Sequence, residues 1–136
     1  MSEQFSVLIV DDDTDLLRLI ETLLREIGVT EVRRARNGKK AIADLTRNLD
    51  RTDLIISDWN MPQMTGLELL QAVRKRRPAL PFVMLTARSK MEEVASAREA
   101  NVSGYMVKPF APTDFASKIG PLIKKIKADK TSTVFV

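Results

Sequence analysis

Short apolar runs alternate with segments of helical periodicity along the chain. Most of these runs are four to six residues long and rich in β-branched or aromatic residues, as in strands that are buried on both faces. The run at Glu31–Ala35 is more polar and predicts a weaker strand. The five predicted strands are Phe5–Val10, Glu31–Ala35, Leu54–Ser57, Phe82–Leu85 and Tyr105–Val107.

The segments between the strands carry apolar residues at the spacing of one helix face. In the first of them this spacing continues to Ile27, and Gly28 marks the end of the helix. The predicted helices are Thr14–Ile27, 39–48, Leu67–Arg77, Lys90–Asn101 and Pro112–Lys127. Five strands that alternate with helices predict the α/β class, with a parallel sheet covered by helices on both faces.

The last predicted helix contains Gly120 and Pro121, which weaken the helix at this point. Apolar residues nevertheless continue along one face, at Phe115, Ile119, Leu122 and Ile126. We therefore expect one helix that is kinked or locally opened around 117–121. No linker divides the chain, so residues 1–130 are predicted to form a single domain and 131–136 a flexible tail.

Composition narrows the possible chemistry. The 136 residues contain no cysteine and no histidine, which excludes disulfides, thiolate catalysis, a Ser-His-Asp triad and phosphohistidine on this chain. The chain contains no run of about 20 apolar residues, so no membrane span is predicted. No secretory signal is visible, so a cytoplasmic protein is expected.

The net charge of +4 comes from residues 108–136, which contain six lysines and two aspartates. A basic C-terminal segment fits a solvated helix end, or an acidic partner. Two further basic clusters lie at Arg74–Arg77 and at Arg33–Lys40. Both are interpreted as ordinary surface charge rather than as an anion site, and we do not expect direct binding of nucleic acid.

Chemically active side chains follow four of the predicted strands. Asp11, Asp12 and Asp13 follow the first strand and Asp58 the third, while Thr86 and Lys108 follow the fourth and fifth. Ligands of open α/β sheets bind at the carboxyl ends of the strands, where these groups should meet. Clustered carboxylates repel one another unless a cation intervenes, and Mg²⁺ prefers oxygen ligands. A carboxylate beside the metal can then act as a nucleophile toward phosphorus.

Two other interpretations of the acidic run are weaker. A calcium loop with this D-x-D-x-D spacing requires Gly at 16 and Glu at 22, but the chain has Leu16 and Thr22. A small aspartate-dependent phosphatase of the haloacid-dehalogenase type would have Thr or Val at 15, where Asp15 stands. One of Asp13 and Asp15 is also expected to cap the first helix.

Four sequence segments resemble the receiver domain of response regulators, and most of all its chemotaxis (CheY-like) members. They are VLIVDD (7–12), ISDWNMPQMTGLELL (56–70), MLTAR (84–88) and SGYMVKPF (103–110), and the resemblance spans about Ser6–Lys125. It implies a flavodoxin-like fold: a doubly wound five-stranded parallel sheet with strand order 2-1-3-4-5 and five helices.

The resemblance also implies roles for individual residues. Asp58 would accept the phosphoryl group, and Mg²⁺ would be held by Asp11, Asp12, Asp58 and the backbone carbonyl of Asn60. In many receivers an aspartate stands at the position of Thr65, which touches a turn rather than the acidic pocket.

Further roles follow at the ends of the last two strands. Thr86 and Lys108 would bind the phosphoryl oxygens, and Tyr105 would be an aromatic switch that changes rotamer with Thr86. The Lys108–Pro109 peptide bond would be cis. Arg88 replaces the glutamate typical of chemotaxis receivers.

The predicted function is that of a single-domain response regulator that accepts a phosphoryl group from a partner histidine kinase or phosphotransfer protein. It would act on itself and is not expected to be an enzyme. Output would be switched protein–protein binding, with chemotaxis as one possible role, through the predicted helix Lys90–Asn101, the fifth strand and the last helix. The alternatives are a phosphorelay intermediate, the receiver fragment of a larger transcriptional regulator and, more distantly, the small phosphatase.

Overall fold

The computed structural model describes residues 4–87 and 101–134. Its five strands are β1 (Ser6–Val10), β2 (Glu31–Ala35), β3 (Leu54–Asp58), β4 (Phe82–Thr86) and β5 (Gly104–Val107). All neighbouring strands are parallel, and their order in the sheet is β2-β1-β3-β4-β5. The fold class and the strand order implied by the resemblance are therefore confirmed.

Within the described residues, four α-helices connect or follow these strands. They are α1 (Thr14–Glu26), α2 (Gly38–Asn48), α3 (Gly66–Arg76) and α4 (Pro112–Val134), with a 3₁₀ turn at Leu49–Arg51. The predicted helix at Lys90–Asn101 lies outside the described residues, apart from Asn101 itself. Within the described ranges, no helix is both long and apolar enough to cross a membrane.

The sheet has a hydrophobic core on each face because alternate residues of each strand point in opposite directions. On one face, Ile9 and its neighbours pack against buried residues of α1 and α4, such as Ile20 and Ile119. On the other face, Leu8 and its neighbours pack against α2 and α3, for example Leu69. Each fully buried side chain of this kind contributes about 1.5–3 kcal/mol to stability.

The helices begin at polar caps that orient the chain beside the carboxyl ends of the strands. The Asp13 side chain accepts hydrogen bonds from the backbone N–H groups of Asp15 and Leu16, so Asp13 is the cap of α1. Thr65 and Glu68 form a reciprocal capping box at α3. The unusual Thr65 therefore has a local role, at the start of the helix that follows Asp58.

The last helix differs from the prediction in two respects. It extends beyond Lys127 to Val134, so residues 131–134, expected to be in a flexible tail, are helical. Ile123 rather than Leu122 is fully buried, while Leu122 packs at the edge of the core. Pro121 lies inside one continuous helix, as predicted, and the kink stays a prediction.

Paired charges hold together the amino ends of the strands. The Asp53 carboxylate accepts a hydrogen bond from the Ser6 N–H at 2.8 Å and lies 2.9 Å from the Lys130 ammonium. Lys130 also donates to the Gln4 carbonyl at 3.2 Å. These contacts join the end of α4 to the starts of β1 and β3.

Two arginines of the predicted basic clusters have structural roles at this same end. Arg33 on β2 donates two-pronged hydrogen bonds to the Asp44 carboxylate of α2 and further bonds to Ser6 and Thr52. Arg77 donates to the backbone carbonyls of Leu49 and Thr52. Both guanidinium groups therefore connect elements that are distant in sequence.

Candidate functional site

Three carboxylates meet at the carboxyl end of the sheet, as the sequence predicted. Asp11 and Asp12 directly follow β1, and Asp58 is the last residue of β3. One oxygen from each of the three lies within 4.8 Å of the others. Asp11 and Asp58 are buried, with 1% and 5% of their surfaces exposed, whereas Asp12 is exposed. The group is therefore a partly buried acidic pocket with one open side.

Lys108 enters this pocket from the end of β5. Its ammonium lies 3.1 Å from an Asp11 oxygen and 3.2 Å from an Asp58 oxygen, so it bridges the two buried carboxylates. Its backbone N–H donates to the Thr86 carbonyl at 2.6 Å. The following peptide bond to Pro109 is cis, as the resemblance implied.

The burial of the pocket shifts the ionisation of its members. Loss of water raises the pKa of Asp58, and the nearby Lys108 ammonium opposes that shift. The pKa of Asp11 is likewise raised, first by burial and further by the charge of Asp58. For Lys108, burial lowers the pKa, but the hydrogen bonds and charges of Asp11 and Asp58 outweigh it and the net pKa is raised. One ammonium thus faces three carboxylates, which leaves the pocket with excess negative charge.

This donor set fits a hard divalent cation. All three side chains offer carboxylate oxygens, which Mg²⁺ prefers, and the uncompensated charge favours a cation in the pocket. The Asn60 backbone N–H donates to Asp58 and lowers the pKa of that carboxyl. The predicted role of the Asn60 carbonyl as a ligand stays a prediction.

Two backbone features that the sequence reasoning missed hold the acidic side chains in place. The Asp13 N–H donates to Asp11 Oδ1 at 2.9 Å and fixes that carboxylate. Gly66 packs against the backbone that follows β3, and its N–H donates to the Trp59 carbonyl at 2.8 Å. A Cβ at Gly66 would collide with the Asp58 carbonyl oxygen and lie 2.8 Å from Met84 Sδ. The glycine in the Thr65-Gly66 turn is the sequence feature that could have indicated this close backbone approach.

Thr86 and Tyr105 occupy neighbouring strands on one face of the sheet. Thr86 is the buried last residue of β4, and Tyr105 is half-buried on β5 opposite Met84. Residues two apart in a strand point to the same face, so Thr86 and Tyr105 are diagonal neighbours. The Lys118 ammonium of α4 lies 5.0 Å from the centre of the Tyr105 ring. The structure thus places Thr86 at the carboxyl end of the sheet and Tyr105 diagonally behind it on β5, and the switch role of both residues stays a prediction.

The sequence matches the response regulator receiver domain family over residues 7–120. The chain belongs to this family. As a receiver of CheY-like type, it is a two-component response regulator, and receivers bind Mg²⁺ in an acidic pocket of the kind formed by Asp11, Asp12 and Asp58.

Curated relatives of this receiver include chemotaxis proteins. It is 39% identical to the chemotaxis protein CheY of Pseudomonas aeruginosa over 122 residues, which cover 88% of this chain and 97% of the relative. It is 33% identical to CheY-3 of Vibrio cholerae over 128 residues, covering 93% and 97%. The solved structure of Vibrio cholerae CheY4 is similar with a TM-score of 0.79 and 34% identity, covering 86% and 97%.

A cleft of about 530 Å³ opens beside the acidic pocket of the receiver. Its walls are the outer face of α1 and the segment that follows β5, and the exposed side chain of Leu19 lies on its rim. Lys108 forms part of its wall, so a molecule in the cleft would lie next to a residue of the pocket. Its lining residues are Asp13, Leu16, Leu19, Ala87, Lys108, Pro109 and Phe110.

Proposed function

We propose that Asp58 accepts a phosphoryl group from a phosphohistidine of a partner histidine kinase, and that this modification switches protein binding. The observation that carries the proposal is the position of Asp58: a buried carboxylate with an ammonium 3.2 Å away and two further carboxylates beside it. The chain contains no histidine, so the phosphohistidine must come from a partner.

The residues of the pocket have distinct parts in this transfer. An Asp58 oxygen attacks phosphorus as the phosphorus–nitrogen bond to the donor breaks, and the imidazole leaves with its electron pair. Lys108 and Thr86 lie at the ends of the two adjacent strands and stabilise the phosphoryl oxygens. Asp11, Asp12 and Asp58 would hold Mg²⁺, which would supply positive charge for the same oxygens.

The proposed output is protein–protein binding by the surface around β5 and α4. Val107 on this edge strand is 39% exposed, although it is apolar. The Lys118 ammonium lies over the Tyr105 ring on this surface, and Tyr105 pairs with Met84 in the middle of β4. A role in chemotaxis follows from the likeness to CheY proteins and is part of the proposal, as are a cytoplasmic location and the absence of turnover on other molecules.

Acetyl phosphate with Mg²⁺ tests the acceptor. Intact-mass measurement should show the addition of one phosphoryl group to the native chain and none to Asp58→Asn, because an amide cannot form the acyl phosphate. The matched control is Asp15→Asn, which removes one exposed carboxylate near the pocket and should still be labelled. Labelling that persists in Asp58→Asn would refute the assignment.

The output is tested by comparing the beryllofluoride-activated protein with the unactivated one in affinity capture. A specific partner should be retained by the activated form and lost with Asp58→Asn. Continuous release of phosphate from added monoesters would instead indicate the phosphatase alternative.

A further inference from the structure

Three exposed cations lie at the same end of the sheet as the acidic pocket and take no part in the paired charges of the amino end. They are Arg36, directly after β2, and Lys39 and Lys40, in the first turn of α2. We call these three residues the basic rim. Among the residues that the structure describes, no acidic side chain forms an ion pair with any of them.

The register of the sheet places the rim next to the pocket. Ala35 pairs with Val10, and the Asp11 N–H donates to the Ala35 carbonyl at 3.1 Å. Arg36 therefore follows β2 at the level where Asp11 follows β1, on the adjacent strand. The N-terminus of α2 continues from this point, so Lys39 and Lys40 are also at the carboxyl edge of the sheet.

The two arginines that precede the rim on β2 differ from it, because both are paired with carboxylates. Arg33 is bound to Asp44, and Arg34 lies 2.8 Å from Glu21. The charge pairing along this segment thus stops where the chain reaches the pocket. Lys39 and Lys40 are moreover in the first turn of a helix that has no acidic residue there, where the helix dipole disfavours cations.

The pocket itself creates an electrostatic obstacle that the rim can offset. Asp11, Asp12 and Asp58, with Asp13 and Asp15 nearby, give the entrance far more negative charge than Lys108 neutralises. Bound Mg²⁺ would offset only part of this charge, because Asp13 and Asp15 remain at the entrance, so an anionic phosphoryl donor is still repelled on approach. Clustered charge of one sign at the edge of a cleft alters the local concentration and the association rate of a charged ligand.

We propose that the basic rim of Arg36, Lys39 and Lys40 attracts anionic phosphoryl donors to the acidic pocket and thereby sets their rate of encounter with Asp58. This inference rests on the proposed function of Asp58 as acceptor. The same positive charge must act against the binding of a divalent cation in the pocket. The rim therefore has effects of opposite sign on two ligands, which a simple loss of structure would not produce.

The test uses the triple variant Arg36→Gln/Lys39→Gln/Lys40→Gln and acetyl phosphate, which is a dianion at neutral pH. At low salt the second-order rate of Asp58 labelling should fall roughly three-fold. At about 1 M salt, where the Debye length is about 3 Å, native and variant rates should converge. The matched control is Arg47→Gln/Lys124→Gln/Lys125→Gln, which removes the same charge from exposed positions further along α2 and α4 and should keep the native rate.

The second readout is Mg²⁺ binding without a phosphoryl donor, followed by the fluorescence of Trp59, the single tryptophan, which adjoins Asp58. The rim variant should bind Mg²⁺ about two-fold more tightly at low salt, whereas the control variant should match the native protein. An unchanged labelling rate, an equal slowing of both triple variants, or weaker Mg²⁺ binding by the rim variant would each overturn the inference.

Labelling of the native protein distinguishes a wrong role for the basic rim from a wrong assignment of Asp58 as the acceptor. If native Asp58 is labelled but the rim variant is labelled equally fast, only the role of the rim is refuted. If native Asp58 is not labelled at all, the acceptor proposal is refuted and the rim inference falls with it.

Discussion

Both ends of the sheet carry charged side chains, but the two ends pair them differently. At the amino end, Asp53 has Lys130, and Asp44 has Arg33, at distances of 2.9 and 2.8 Å. At the carboxyl end, three carboxylates cluster, and the Lys108 ammonium contacts only two of them, Asp11 and Asp58. The paired end stabilises the fold, since its charges already have partners. The unpaired end contains repulsion that a cation can relieve, so the same residue types there favour ligand binding over stability.

Steric crowding at the carboxyl end should cause the greatest loss of stability. Gly66→Ala places a methyl group against the Asp58 carbonyl oxygen and Met84 Sδ, and should lower the free energy of unfolding by about 3 kcal/mol. Gly120→Ala is the matched control, because a Cβ there meets open space. It should raise stability by up to about 1 kcal/mol. Urea unfolding of both variants measures this, and equal stability changes would contradict the packing role of Gly66.

A smaller loss of stability is expected when the charge pairing at the amino end is removed. Arg33→Ala removes the partner of Asp44 and the donor to Thr52, so the free energy of unfolding should fall by about 2 kcal/mol. Arg51→Ala removes the exposed pair with Glu31, in which the arginine side chain is 55% exposed, and should cost less than about 1 kcal/mol. Thermal and urea unfolding compare the two. A loss that is equal for both would mean that the partly buried Arg33 network contributes no more than a surface pair.

The stability of the carboxyl end should depend on pH. Folding raises the pKa of Asp11 and Asp58 above the ordinary carboxyl value of 3.8, mainly through burial. Between the ordinary and the raised values, the folded state binds more protons than the unfolded state, so these two groups make stability fall as pH rises. Without divalent cations, the native protein should therefore gain stability relative to Asp58→Asn as the pH is lowered from neutral toward 4.

Urea unfolding of both proteins across this pH range, in the presence of a chelator, measures the difference. Added Mg²⁺ should stabilise the native protein at neutral pH, since it binds the ionised carboxylates of the folded state. Parallel pH profiles for native and variant proteins would show that folding does not raise the pKa of Asp58 as its burial predicts.

The smallest effect concerns the basic rim. Lys40→Glu places an anion in the first turn of α2, where the helix dipole favours it, and should raise the free energy of unfolding by about 0.5 kcal/mol. Arg47→Glu, in the last turn of the same helix, should lower it by a similar amount. If Lys40→Glu raises and Arg47→Glu lowers the free energy of unfolding, the native Lys40 is unfavourable for stability. If Lys40→Glu is destabilised, the lysine has no such cost.

The strands could be predicted to within a residue or two because burial on both faces leaves a simple signal. β1 and β4, for instance, are continuous apolar runs that end at the polar residues of the pocket. The convergence of Asp11, Asp12, Asp58 and Lys108 followed from the same rule, since parallel strands end at a common edge. That part of the site needed no knowledge of side-chain contacts.

Other features depend on contacts that the sequence pattern does not encode. Leu122 and Ile123 both fit the helical spacing from Ile119, so the pattern could not decide which one is buried. Arg33 was predicted to belong to a surface cluster because Asp44 is 11 residues away and Ser6 is 27 residues away. Such pairing becomes visible only when the elements pack together.

The contact between Lys130 and Gln4 also has a topological consequence. It brings the two ends of the described chain together at the amino end of the sheet. A short linker could therefore close the chain into a ring without separating any pair of strands. A new opening at the exposed Pro78–Ala79 turn would then give a circular permutant in which β4 comes first. The spatial order of the strands would be unchanged, because it depends on which strands are neighbours and not on the order in which the ribosome makes them.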